Sequence, residues 1–181
     1  MMKHKKNIFL IGPMGSGKTS VGKVLAKLLN QPFFDSDEEI QKRTGVDIPW
    51  IFEQEGESGF RKREGEIITR LTQQNSIILS TGGGAVTDPA IRMQLSKNGL
   101  IIYLRISIDK QLQRISHRRE KLPMLTFYDT KEKLMQLNSV REPYYEEIAH
   151  LTYQTDNLDP DKLAKQIILD IEAIEGTHEK N

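Results

Sequence analysis

The sequence predicts one α/β domain in which a parallel sheet is covered by helices on both faces. Three observations favour this class. Short apolar runs alternate with helix signals, the runs have the length and composition of buried strands, and a glycine-rich loop joins the first run to the first helix. The chain has 181 residues, which is enough to bury a core in a single domain without disulfides.

Five segments are the predicted strands. Runs rich in β-forming residues lie at 7–11, 32–35, 76–80 and 100–104, and a weaker run lies at 151–153. Because helix signals separate these runs, we expect crossover connections and therefore one parallel sheet.

Aspartates mark three helix starts. Asp88 and Asp159 each precede a proline, so a capping side chain stands before the residue type favoured at the first helical position. Asp47, two residues before Pro49, indicates a related start. Apolar residues then trace one face of the last helix, at Leu163, Ile167, Ile168, Ile171 and Ile174. The segment 176–181 has no core residue, so we expect it to fray.

Composition and charge argue against several function classes. A net charge of +1 gives no reason to expect a nucleic acid or an anionic membrane as partner, and the absence of cysteine excludes disulfides and thiolate metal sites. The basic residues 1–6 lead into an apolar run too short for a signal peptide, and no run approaches the length of a membrane span. We therefore expect a cytoplasmic protein.

Residues 12–19 match the phosphate-binding pattern G-x-x-x-x-G-K-[ST], between a predicted strand and a run with helical apolar spacing. The glycines let backbone N–H groups turn towards a polyphosphate, and the helix dipole adds partial positive charge there. We therefore expect this loop to bind a nucleoside triphosphate. Lys18 would reach the β- and γ-phosphates, and the Thr19 hydroxyl would hold Mg²⁺.

Two carboxylates, Asp35 and Asp37, follow the second predicted strand. At the carboxyl end of that strand they would lie beside the phosphate loop, where they can hold Mg²⁺ and accept a proton from an attacking hydroxyl. Both roles need an ionised carboxylate, which Mg²⁺ and Lys18 would favour. The alternative is a structural role, in which one of the two carboxylates simply caps the helix that begins near Glu38; a cap at Ser36 or Asp37 would not exclude chemistry for the other.

Three glycines, Gly82 to Gly84, directly follow the third predicted strand. Ligands in open α/β sheets lie at the carboxyl ends of the strands, so we expect this bare backbone to contact a ligand. The alternative is a tight turn, for which one or two glycines would suffice.

Two arginines and a basic segment complete the candidate residues. Arg61 and Arg141 offer guanidinium groups suited to a carboxylate or phosphate, although each alone is also compatible with a solvated surface residue. The basic stretch that begins at His117 is either an exposed loop or a lid, at about 117–128, that closes over phosphates. His117 itself is interpreted as a surface residue.

Together these residues resemble the shikimate kinase family over roughly 7–172. The phosphate loop alone is shared by many NTPases, but the combination is much more specific. The motifs that occur in the family's order and spacing are 12–19, 35–37, 59–61, 81–84 and 141–149.

The resemblance implies a five-stranded parallel sheet of the nucleoside monophosphate kinase type within the P-loop NTPase fold. It also implies transfer of the γ-phosphoryl of ATP to the 3-hydroxyl of shikimate, in the chorismate pathway to aromatic amino acids. The implied cofactor is Mg²⁺, the implied partners are ATP and shikimate alone, and we expect a monomer.

The resemblance assigns roles to individual residues. Asp37 would bind the shikimate hydroxyls and act as the base, Arg61 and Arg141 would hold the shikimate carboxylate, and Gly83 would contact the substrate. Thr19 matches the residue that binds Mg²⁺ in the family. Asp35 would contribute to the same site indirectly, outside the direct ligands of the ion. Lys18 would neutralise charge during transfer, and the residues expected at ATP are Gly15, Ser16, Gly17, Lys18, Thr19 and Ser20.

The chain departs from the family in the segment that matches the lid. Many members carry Arg-Pro-Leu-Leu there, whereas this chain has Leu122 at the arginine position and about one additional residue in the segment. Arg118, Arg119 or Lys121 could supply the missing charge. We favour Arg119 as the residue that contacts the ATP phosphates, because lysine lacks the planar guanidinium fork.

Three other functions are compatible with a phosphate loop. A regulatory GTPase should carry Asp-x-x-Gly and Asn-Lys-x-Asp, and neither pattern occurs. A kinase for gluconate or a nucleoside monophosphate would share the loop but not the set of Asp37, Arg61, Gly83 and Arg141. A non-catalytic ATP-binding module is the third alternative, against which the retained Lys18 argues.

Overall fold

The five predicted strands form one parallel sheet in the order β2-β3-β1-β4-β5. The computed structural model describes residues 6–116 and 131–178, and it confirms the predicted fold class. The strands are β1 (Asn7–Ile11), β2 (Phe33–Asp35), β3 (Ile78–Ser80), β4 (Gly99–Arg105) and β5 (Leu151–Gln154).

The third strand starts two residues later than the prediction. Ser76 has a positive φ of 57°, and the Ile77 N–H donates to the side chain of Asn7 rather than to a neighbouring strand. The regular ladder therefore begins only at Ile78, which pairs with both Ile8 and Phe33.

Helices connect the strands and cover both faces of the sheet. They are α1 (Lys18–Leu29), α2 (Ser36–Thr44), α3 (Ile48–Thr72), α4 (Pro89–Asn98), α5 (Ile108–Ser116), α6 (Lys131–Ile148) and α7 (Pro160–His178), with a short 3₁₀ turn at Ala85–Thr87. Within α3, Gly56 adopts φ 67° and ψ −173° and interrupts the helix. Helix α7 extends into the segment 176–181, and its last described residue is His178.

The three predicted helix starts are confirmed by their capping hydrogen bonds. The Asp47 carboxylate accepts from Trp50 N at 2.9 Å, and Asp88 accepts from Ala90 N at 2.8 Å. Asp159 accepts from the N–H groups of the first turn of α7, at 3.1 Å each. Each cap satisfies backbone donors that have no partner within the helix.

The core lies in two layers on opposite faces of the sheet. Ile8 and Leu10 of β1 pack with residues of α1 and α7, while Phe9 and Ile11 pack with residues of α2, α3, α4 and α6. Because alternate side chains of a strand point to opposite faces, a strand covered on both sides must be apolar throughout, as β1 is apart from Asn7. No helix within 6–116 or 131–178 has the length and apolar character required to cross a lipid bilayer.

A buried asparagine joins several elements at the amino end of the sheet. The Asn7 amide donates to Gln74 O at 2.7 Å, to Asn98 O at 3.1 Å and to Thr72 O at 3.4 Å, and its oxygen accepts from Ile77 N at 3.1 Å. This side chain therefore pairs backbone groups that secondary structure leaves unpaired.

Replacement of this side chain should destabilise the fold. In Asn7→Ala the buried backbone groups lose their partner, and we expect the free energy of unfolding to fall by about 2–4 kcal/mol in urea titrations. The matched control is Asn75→Ala at an exposed position, which should change it by no more than about 0.5 kcal/mol. Equal effects of the two substitutions would contradict the role of Asn7.

Candidate active site

The glycine-rich loop forms an anion-binding turn at the carboxyl end of the central strand. Helix α1 begins at Lys18, and Gly17, which precedes it, has a left-handed φ of 95° and contributes no side-chain cap. The N–H groups of the first helical turn are thus left to a ligand. Gly15 also has a positive φ, of 80°, so the loop uses glycine where other residues would be strained. This geometry confirms the predicted strand, loop and helix.

Lys18 lies inside the phosphate loop. Its ammonium donates to Gly12 O at 2.7 Å and to Pro13 O at 2.9 Å. Burial lowers the pKa of Lys18 to about 8, although the carboxylates of Asp35 and Asp37 act in the opposite direction. The cation is therefore held at the centre of the loop with little solvent around it.

The two serines of the loop have different surroundings. Ser16 is fully buried, and its hydroxyl has no hydrogen-bond partner among the described residues. Ser20 is partly exposed in the first turn of α1. Both belong to the segment 15–20, for which the sequence predicts contact with ATP.

Thr19 and Asp35 are in direct contact. The Thr19 hydroxyl donates to Asp35 Oδ2 at 2.9 Å, and the other carboxylate oxygen accepts from Asp37 N at 3.1 Å and from Glu38 N at 3.4 Å. Asp35 is therefore the cap of α2, so the structural role considered for one of the two carboxylates holds for Asp35, and neither Ser36 nor Asp37 is the cap. Asp35 itself begins the turn, because it has an extended backbone and its side chain reaches the first helical N–H groups.

A hydroxyl and a carboxylate beside a phosphate-binding turn fit a small divalent cation. Mg²⁺ is usually bound through one or two protein oxygens together with substrate phosphates and water. No group of three or more His, Cys, Asp or Glu side chains with metal-binding spacing occurs in the described part of the chain, so an all-protein metal cage is not built from those residues. Thr19 and Asp35 match the simpler arrangement.

Asp37 lies beside the phosphate loop and next to the glycine turn. The pKa of Asp37 is raised to about 7, mainly by burial and also by the neighbouring carboxylates of Asp35 and Glu64, while Lys18 and Arg61 act in the opposite direction. The expectation that nearby cations keep this group ionised is thus only partly met, because desolvation outweighs them. Asp37 Oδ1 is buried and accepts no hydrogen bond from the described residues.

The three glycines bring bare backbone against the phosphate loop. Gly82 N donates to the hydroxyl of Ser36 at 2.9 Å, which connects this turn to the segment that carries Asp37. A Cβ added at Gly83 would lie 3.3 Å from Met14 N. Such a close approach of two backbones explains the absence of side chains better than a tight turn alone would.

Arg61 lies against the same glycine turn and is held by glutamates. Its guanidinium donates to Glu64 Oε2 at 2.6 Å and to Glu57 Oε1 at 3.3 Å, and a Cβ at Gly84 would lie 2.6 Å from its Cζ. Glu64 is fully buried, and burial raises the pKa of its carboxyl although Arg61 and Arg141 oppose the rise. Arg61 is therefore fixed at the site rather than solvated.

Arg141 approaches the site from helix α6. It is partly buried, and its charge acts on Lys18, Glu64 and Tyr145. Unlike Arg61, it has no hydrogen bond or ion pair with the residues at 6–116 and 131–178. The two arginines thus reach one region from different helices, as predicted.

Glu64, Tyr145 and Gln111 support the site and are absent from the sequence-based prediction, in which Arg114 is a candidate for the adenine pocket. Glu64 follows Arg61 by three positions, which is a helical pairing distance, and Tyr145 follows Arg141 by four. From α5, Gln111 donates to Met14 O at 3.0 Å, and Arg114 donates to Gly15 O at 3.0 Å and to Asp156 O at 3.1 Å. Helical spacing could have indicated Glu64 and Tyr145, whereas no local sequence pattern indicates the contacts that α5 makes with the phosphate loop.

The predicted lid at about 117–128 lies outside the described residues. The same is true of His117, Leu122 and the candidate phosphate contact Arg119.

The fold and the phosphate loop together define a P-loop kinase. A family model for shikimate kinase matches residues 14–172. A shikimate kinase of Coxiella burnetii is 53% identical over 180 residues, covering 99% of this chain and 98% of the relative, and one of Pasteurella multocida is 49% identical over 176 residues, covering 97% and 100%. The solved structure of a shikimate kinase from Acinetobacter baumannii in complex with shikimate has a TM-score of 0.90 and 43% identity, covering 94% of this chain and 95% of that one.

The chain belongs to the shikimate kinase family. The family resemblance inferred from the motifs is confirmed. A regulatory GTPase and a kinase of the gluconate or nucleoside monophosphate type are therefore not supported as its class.

Proposed function

We propose that this chain transfers the γ-phosphoryl group of ATP to the 3-hydroxyl of shikimate, giving ADP and shikimate 3-phosphate for aromatic amino acid biosynthesis. The observation that carries the proposal is the meeting, at one sheet edge, of a phosphate-binding loop with a buried aspartate and two arginines. Shikimate is a small anionic polyol. Guanidinium groups suit its carboxylate, and a carboxylate side chain suits its hydroxyls.

ATP is assigned to the loop and the start of α1. Its phosphates would accept hydrogen bonds from the backbone and side chains of residues 15–20, with Lys18 supplying positive charge. Thr19 and Asp35 would hold Mg²⁺, which when bound neutralises charge on the phosphates. In addition, we assign Arg119, from the lid segment, to the phosphates.

Shikimate is assigned to the region beside the glycine turn, where the charges of Arg61 and Arg141 act together. Arg61 and Arg141 would hold its carboxylate, and the Gly83 backbone would contact the ring substituents. Asp37 would accept a hydrogen bond from the 3-hydroxyl and take its proton as the bond to phosphorus forms. A pKa of about 7 suits a general base at neutral pH, because the ionised form is populated and still basic enough to accept a proton.

We propose that the enzyme works as a monomer in the cytoplasm, without nucleic-acid or membrane partners, in keeping with its near-neutral charge.

Turnover should depend on shikimate, ATP and Mg²⁺. In a coupled ADP-release assay we expect activity with shikimate and none with gluconate or common nucleoside monophosphates, and mass spectrometry should detect shikimate 3-phosphate. A chelator should abolish turnover and excess Mg²⁺ should restore it. Turnover with another acceptor but not with shikimate would contradict the proposed substrate. No turnover with any acceptor would favour a non-catalytic ATP-binding module.

Removing the base should affect the rate rather than nucleotide binding. Asp37→Asn keeps the shape of the side chain but cannot take the proton, so we expect kcat to fall by about 10²- to 10⁴-fold while the KM for ATP changes little. The control is Asp161→Asn, the same substitution at an exposed position of α7. Near-normal kcat in Asp37→Asn would refute the assignment of the base.

Displacing Arg61 without mutating it tests the carboxylate contact. In Gly84→Ala the new Cβ would overlap the Arg61 guanidinium, while the backbone at φ −92° and ψ −7° tolerates alanine. Since one charged hydrogen-bonding partner is lost, we expect the KM for shikimate to rise about tenfold or more, with an unchanged KM for ATP.

The matched control for this variant is Gly65→Ala on α3. A Cβ there would meet only Ile91 Cδ1, at 4.0 Å, so both KM values should stay the same. If Gly84→Ala also left the KM for shikimate unchanged, Arg61 would not hold the acceptor.

A further inference from the structure

The glycine turn has a distinctive pattern of paired and unpaired backbone groups. Gly82 O accepts from Ala85 N at 3.1 Å, and Gly84 O accepts from Thr87 N at 3.1 Å and from the Thr87 hydroxyl at 2.7 Å. Gly82 N is paired with Ser36. The N–H groups of Gly83 and Gly84 have no acceptor among the described residues. These two donors are therefore available to a bound molecule.

The remaining carbonyl of the turn is held by a distant side chain. The Tyr145 hydroxyl, from α6, donates to Gly83 O. Tyr145 is 1% exposed, and its ring stacks on Tyr103 with 4.9 Å between centroids and 25° between planes. Burial raises the pKa of the Tyr145 hydroxyl, so the group remains a hydrogen-bond donor. Packing fixes the ring, so the hydroxyl lies at one defined position beside Gly83 O.

Fixing a carbonyl also fixes an N–H group. In a planar trans peptide the C=O of one residue and the N–H of the next point in opposite directions. The Tyr145 bond to Gly83 O therefore sets the direction of the Gly84 N–H, as the Ala85 bond to Gly82 O sets that of the Gly83 N–H. Glycine has few intrinsic conformational restrictions, so these external bonds determine where both donors point.

Tyr145 also relates the glycine turn to an arginine of the site. Arg141 precedes it by four residues on α6, so the two side chains lie on the same face of that helix. One face of this helix therefore carries both the Arg141 guanidinium and the hydroxyl that holds the Gly83 carbonyl.

We propose that Tyr145 is a positioning residue for the phosphoryl acceptor, because its hydroxyl holds the Gly83 carbonyl and thereby orients the Gly84 N–H for hydrogen bonding to the bound molecule. This inference rests on the proposed function, in which Gly83 and Arg141 contact shikimate. Tyr145 itself does not touch the reacting atoms.

Tyr145→Phe tests the inference because it removes only the hydroxyl and keeps the buried, stacked ring. Since one ordinary hydrogen bond is lost, we expect the KM for shikimate and its Kd from calorimetric titration without ATP to rise about five- to tenfold. The KM for ATP should stay within about twofold, since the phosphate loop is not altered, and kcat should fall less than the KM for shikimate rises.

The matched control is Tyr103→Phe, which removes the hydroxyl of the stacking partner. That hydroxyl interacts with Arg105 and not with the glycine turn, so both KM values should equal those of the unmodified protein. Thermal unfolding of both variants establishes that they are folded during the assays.

Three outcomes distinguish the failure of this inference from the failure of the proposed function. If the unmodified protein turns over shikimate and Tyr145→Phe has the same KM and Kd for it, the positioning role is wrong while the function stands. The role is equally wrong if the KM values for ATP and shikimate rise together, because that pattern indicates general loosening. No turnover by the unmodified protein would contradict the function and this inference with it.

Discussion

The arrangement of the site depends on the parallel direction of the strands, with β1 at the centre of the sheet. Parallel strands all end at the same edge, so the loops that follow β1, β2 and β3 must meet there. The order β2-β3-β1 places the glycine turn after β3 between the phosphate loop and the segment of Asp37. Ser36 and Gly82, which are 46 positions apart in the chain, are thereby brought within hydrogen-bonding distance.

This edge concentrates charge of both signs in a poorly solvated space. Lys18, Arg61 and Arg141 face the carboxylates of Asp37 and Glu64, and burial shifts the pKa of Lys18 downwards and those of both acids upwards. Each shift favours the neutral form, which is the expected result when desolvation exceeds charge pairing. Buried ionisable groups of this kind contribute little to the stability of the fold. Their protonation states are also the ones that a bound anion or cation can change most strongly.

Most of the fold was predictable from local patterns, and the parts that were not have identifiable causes. The strands and three helix starts follow from apolar runs and from Asp–Pro signals, which act over a few residues. The late start of β3 depends on Asn7, 70 positions away from Ile77, so no local pattern reports it. Likewise, the interruption of α3 at Gly56 lies in a segment where a glycine can be helical or not.

The predicted site residues were those with strong motifs, whereas the supporting residues depend on tertiary contacts. A phosphate loop or a triple glycine can be recognised in the sequence because the local backbone conformation requires those residue types. Glu64 and Tyr145 look like ordinary helix residues, and they acquire a role only when α3 and α6 pack over the glycine turn. The effect of Lys18 on Asp37 follows from the sequence, whereas the larger effect of burial on its pKa does not, since burial is a property of the assembled fold and not of the Asp-Ser-Asp segment.

That segment shows how three consecutive residues link the two halves of the proposed reaction. One oxygen of Asp35 accepts from Thr19 on the nucleotide side, and the other accepts from the backbone that begins α2. Ser36 holds the glycine turn on the acceptor side. With Asp35 occupied in this way, Asp37 is the carboxylate whose Oδ1 receives no hydrogen bond from the described residues. Two neighbouring acids can therefore have separate tasks, because their hydrogen-bonding surroundings differ although their chemistry is the same.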